Sequence, residues 1–73
     1  MITVKIGAVK LKLTKTEAQF AQDCADFMKH DGGKEYAQKY IDIIMRDATN
    51  DKAAERRKAI ARALGLSDAV AFM

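Results

Sequence analysis

Cysteine, histidine, proline and tryptophan are almost missing from this chain, which has one Cys, one His, no Pro and no Trp in 73 residues. Each shortage closes a route. With Cys24 alone no internal disulfide can form, and with His30 as the single imidazole no Cys/His zinc cluster can be assembled. A domain this small buries only about 60% of its unfolded surface, so without such a staple it depends on tight helix packing or on self-association. The lack of proline removes the strongest helix breaker, and 49% apolar residues is too many for a disordered chain. A single folded domain over residues 1–73 is expected. No apolar run approaches the roughly 20 residues of a membrane span, and "MITVKIGAVK" has no long apolar core and no small-residue cleavage site. A cytoplasmic protein with Cys24 reduced is the expectation, with no membrane partner.

Enzyme signatures are equally scarce. There is no Gly-rich phosphate loop, no serine elbow and no pair of histidines. Cys24 and His30 are six residues apart, about 120° around a helix, so they do not form a local nucleophile and base. Cys24 fits an apolar stripe better than a reactive site. Asp23, Asp26 and Asp31 lack the glycine and ligand spacing of a calcium loop. Phe20 and Phe27 belong to the same apolar stripe as Cys24, which leaves no aromatic platform for bases. The expectation is a non-catalytic protein with no metal site, cofactor or small-molecule substrate.

What is present is strong patterning. In "ITVKIGAVKLKLT" the apolar residues Ile2, Val4, Ile6 and Val9, Leu11, Leu13 alternate with Thr3, Lys5, Lys10 and Lys12, the period of two that marks half-buried strands. Gly7-Ala8 between the runs suits a type II′ turn. That register pairs Ile6 with Val9, Val4 with Leu11 and Ile2 with Leu13, putting every apolar side chain on one hairpin face and the lysines on the other. Thr14-x-x-Glu17 then forms a capping box, with Leu13 and Ala18 placed as a hydrophobic staple. Three helices follow, at about 15–29, 34–48 and 51–64. The first buries Phe20, Ala21, Cys24, Phe27 and Met28; the second Ala37, Tyr40, Ile41, Ile44 and Ala48, flanked by Tyr36 and Ile43. The third, capped by Asn50, offers the sparser face Ala53, Ile60, Ala63 and Leu64, and stops at Gly65 with Leu66 to complete the C-terminal motif. Ser67 is placed to cap a short C-terminal turn. The fold class predicted is therefore α+β, an N-terminal β-hairpin (about 2–13) packed on three helices.

Charge is segregated along this layout. Residues 1–15 carry four lysines and no acid, residues 16–50 four basic against seven acidic groups, and residues 51–64 five basic against two acidic. A local field of one sign attracts an oppositely charged surface even when the net charge, here +3, is modest. Lys5 and Lys10 face each other across the hairpin, a destabilising placement that a bound phosphate or acidic partner would relieve. Lysines on a hairpin also keep its edges from pairing with other sheets. The candidate residues for gripping nucleic acid or an acidic protein are Lys5, Lys10, Lys12, Lys52, Arg56, Arg57, Lys58 and Arg62. The apolar end, through Val70, Phe72 and Met73, is a candidate partner contact.

Two stretches carry partial likenesses. "AERRKAIARALGLSDAVAF" resembles the centre of a helix-turn-helix, with Ala61 as the small residue of the first helix, Gly65 in the turn and Ser67 capping the recognition helix; the likeness implies that residues 68 onward would enter a major groove. "VKLKLTKTEAQFAQDCADFMKHDGGKEYAQKYIDIIMRDA" resembles a ribbon-helix-helix module, which implies an obligate dimer with Lys10, Lys12 and Thr14 facing the groove. Against that pairing between copies, Ile2–Ile6 can pair with Val9–Leu13 in the same chain. Two functional expectations result. One is a small transcription-level regulator that contacts DNA through helix 51–64 and the lysine face of the hairpin. The alternative is a phage-type modulator that docks on a host protein complex such as RNA polymerase. Either is compatible with a homodimer.

Overall fold

The structure is a computed structural model, and it describes residues 1–67. It is an α+β fold in the expected order: β1 (Ile2–Ile6), β2 (Val9–Leu13), α1 (Lys15–Phe27), α2 (Gly33–Arg46) and α3 (Asp51–Ala63). The strands pair antiparallel in the predicted register, Ile2 with Leu13 through to Ile6 with Val9. Gly7 has φ +59° while among the described residues none other than glycine has positive φ, so Ala8 is negative. That pair of signs is the type II′ turn, and glycine is there because a Cβ disfavours its conformation.

Local chemistry sets the helix boundaries. Thr14 accepts the Glu17 N–H at 3.2 Å and Glu17 accepts the Thr14 N–H at 3.1 Å, closing the capping box. Asn50 accepts the Ala53 N–H at 2.8 Å to open α3. At the other end of α3 the Leu66 N–H bonds the Ala61 carbonyl (2.8 Å) and the Gly65 N–H bonds the Arg62 carbonyl (3.1 Å), with Gly65 at φ +73°. This is the Schellman stop, and Leu66 is buried beside it. α1 and α2 each end two residues short of the sequence expectation. In both cases three-residue-span bonds tighten the last turn, from Lys29 and His30 N–H to Asp26 and Phe27, and from Ala48 N–H to Met45.

α1 packs on α2, α2 on α3, and the hairpin lies against α1 and α3. The largest fully buried apolar side chains come one each from three elements: Leu13 of β2, Ile41 of α2 and Ile60 of α3. Tyr40 stands edge-on to Phe20 (5.8 Å, 75°) and Phe27 (5.6 Å, 74°), and its hydroxyl donates to Asp23 at 3.2 Å, which ties α2 to α1. Met45 is also buried, a core member outside the predicted stripe. Within the hairpin, Ile6 and Leu13 are buried while their cross-strand partners Val9 and Ile2 are exposed. The helical body therefore covers the apolar face along one diagonal and leaves the two opposite corners in water. The short turn expected after Ser67, and the contacts expected of Val70, Phe72 and Met73, lie outside the described residues.

Candidate anion-binding surface

The pleat of the hairpin puts Thr3, Lys5, Lys10 and Lys12 on the face turned away from the helices, and all four are exposed. Among the described residues none of the three lysines has an ion-pair partner. In a two-residue hairpin the pair beside the turn exchanges both backbone hydrogen bonds. The next pair, Lys5 with Lys10, therefore sits at the non-hydrogen-bonded position, where Cα atoms are only about 4.5 Å apart. Two lysine side chains thus leave the backbone as direct cross-strand neighbours with Lys12 on the same face, and no acid within residues 1–15 offsets them.

The basic helix behaves differently. Arg56 donates from Nε to Glu17 Oε1 at 2.5 Å, and Arg57 Nε lies 3.7 Å from Glu17 Oε2. Arg57 also donates from Nη1 to the Ile44 carbonyl and stacks its guanidinium over the Phe20 ring at 5.3 Å. Their side chains are 24% and 13% exposed, and Glu17 is 2% exposed. Burial alone would raise the Glu17 carboxyl, but the Arg56 and Thr14 hydrogen bonds outweigh it and hold the group below the ordinary glutamate value. Glu17 thus pairs with both arginines from inside and offsets one of their two charges, Arg56 closely and Arg57 at longer range with its Nε left without a hydrogen bond among the described residues. Arg57 joins α3 to both other helices. Of the remaining candidates, Lys58 reaches Glu55 at 3.7 Å, Arg62 is exposed yet already engaged, and Lys52 is exposed and has no ion pair among the described residues. The two arginines expected to grip a partner are internal ties, which takes the centre out of the predicted surface on α3.

A signal for this was available. Ala53, Arg57, Ile60, Ala61 and Leu64 follow three- and four-residue spacing, so Arg57 occupies the inward stripe whose apolar members looked sparse. The missing element was the partner, a capping-box glutamate 40 residues earlier in the chain.

Cys24 is buried, and burial, with the Asp23 charge beside it, pushes its thiol up to about 11. Among the described residues no group of three His, Cys, Asp or Glu side chains is placed to hold a metal ion, and no helix is long and apolar enough to cross a membrane. Comparison with protein-family models, with curated proteins and with solved structures finds no match to this chain.

Proposed function

We propose that this is a non-catalytic, cytoplasmic, transcription-linked regulator that contacts duplex DNA through the lysine face of its hairpin. The observation that carries the reading is the cluster of Lys5, Lys10 and Lys12 on one exposed ribbon face, all without ion pairs among the described residues. A two-stranded ribbon is narrow enough to enter the major groove, which is about 12 Å wide. Lysine is a point charge without the bidentate fork of arginine, so this face suits phosphates, which position a protein, better than base edges, which specify a sequence. Lys52 adds an exposed cation on α3, whereas Arg56 and Arg57 contribute stability.

Three phosphate contacts imply a log–log salt slope of about −2.7, equivalent to about a 40-fold loss of affinity between 50 and 200 mM salt. The test is fluorescence anisotropy with a labelled duplex at low salt, comparing the wild type with Lys5→Gln/Lys10→Gln/Lys12→Gln. The triple variant should lose most of the affinity and nearly all of the salt slope. Absence of wild-type binding at low salt, or an unchanged slope in the variant, would overturn the proposal.

A further inference from the structure

The outer face of α2 holds a feature that the hairpin reading leaves unused. Ile41, Ile44 and Met45 turn one side of α2 into the core; Tyr36, Lys39, Ile43 and Arg46 make the opposite side, and all four are exposed. Their spacing of three, four and three residues confines them to a sector of about 80° on the helix surface. Tyr36 is 71% and Ile43 63% exposed, about 10 Å apart along the axis. Single exposed apolar residues are ordinary, and what marks a contact site is contiguous apolar surface, which a cleft beside the pair extends. Here Tyr36 forms one wall of a cleft of about 260 Å³ whose other walls are Phe27, His30, Asp31 and Gly33. One wall is bare backbone, because a Cβ on Gly33 would lie 1.5 Å from the Phe27 carbonyl oxygen.

Charge selects the occupant. Lys39 and Arg46 run along one side of the two apolar residues and make no ion pair among the described residues, although Glu35 and Asp42 stand four residues before them. We infer that this face docks an acidic amphipathic helix of another protein, its apolar stripe covering Tyr36 and Ile43, one side chain entering the cleft and its carboxylates meeting Lys39 and Arg46. A second copy is disfavoured by symmetry. Antiparallel α2 pairing that sets Tyr36 of one copy on Ile43 of the other brings the two Lys39 ammoniums together at the axis, and like charges juxtaposed in an interface are costly. One helix on this stripe covers less than the roughly 800 Å² per partner of a standard interface, so weak, reversible binding is expected.

The test uses the full, isotope-labelled chain and a synthetic amphipathic peptide of about five helical turns, with leucine along one stripe and glutamate elsewhere; the control carries lysine in place of glutamate. The acidic peptide should shift amide signals of residues 27–47 and the control should not. Tyr36→Ala with Ile43→Ala should weaken binding at least tenfold, and Lys39→Glu with Arg46→Glu should exchange the preference between the peptides. No shifts with either peptide, equal shifts with both, or shifts in this region that appear with protein concentration alone would overturn the inference. No nucleic acid enters the experiment, so its outcome is independent of the hairpin proposal.

Discussion

Truncating Glu17 to alanine is the most informative perturbation of the fold, because one buried carboxylate serves a helix cap and two arginines at once. The variant loses the bond that the Thr14 N–H donates to the Glu17 carboxylate, worth about 1 kcal/mol for a cap. It also leaves Arg56 and Arg57 without their carboxylate. Removing one partner of a buried pair costs about 3–5 kcal/mol, but Arg56 retains some water and Arg57 keeps the Ile44 carbonyl and the Phe20 ring. A total near 3 kcal/mol is the expected loss. A 73-residue domain has roughly 4–11 kcal/mol in all, so the transition should fall by roughly 12–24 °C. Urea unfolding of the wild type, Glu17→Ala and Thr14→Ala separates the contributions, since Thr14→Ala removes only the cap hydroxyl and should cost about 1 kcal/mol. Equal losses in the two variants would mean that the arginine pairs add nothing, and the account of α3 as internally tied would fail.

The same carboxylate sets a dependence on pH. Its folded pKa lies below the ordinary glutamate value, so the stability it supplies is fully present above the unfolded value of about 4.3 and disappears as pH falls through the lower folded value. Glu17→Gln should flatten that part of the acid limb while leaving the rest of the profile in place.

Two further outcomes follow from other sites. Cys24, buried and with its thiol at about 11, should react with a chromogenic disulfide at pH 8 only as fast as the protein opens, and rapidly in denaturant; fast native-state reaction would contradict its placement in the core. Lys5→Glu puts opposite charges across the strands at Lys10 and should stabilise the hairpin by a few tenths of a kcal/mol while lowering duplex affinity. A loss of both stability and affinity would assign that face a structural task instead.

The parts of this fold that were legible in the sequence are those whose causes lie close together in the chain. Gly7 with the alternation around it determined the hairpin register, Thr14 with Glu17 and Asn50 determined two helix starts, and Gly65 with Leu66 determined a stop. The two caps and the stop each span fewer than about five residues and depend on one or two hydrogen bonds, and the hairpin pattern is a single unbroken stretch from Ile2 to Leu13 around its turn. The covered diagonal of the hairpin, by contrast, depends on the angle at which the helices cross it, and alternation says nothing about that angle. The burial of Met45 likewise reflects how α3 meets α2.

The candidate site divides on the same principle. A count of charges along residues 51–64 treats every side chain as facing water, yet an α-helix has an inner stripe, and any cation that falls on it must find an anion or lose its charge. Arg57 falls on that stripe and found Glu17. A strand cannot divide its charges in this way: residues two apart share a face, so once the apolar set of the hairpin is turned to the core, Lys5, Lys10 and Lys12 are all turned out together. Their density survives folding because period two leaves no third direction in which a lysine could be absorbed, and the nearest acid in sequence, Glu17, is already committed to arginine. Positive charge read from a strand is therefore a firmer guide to an exposed cationic face in this protein than the larger cluster on its third helix.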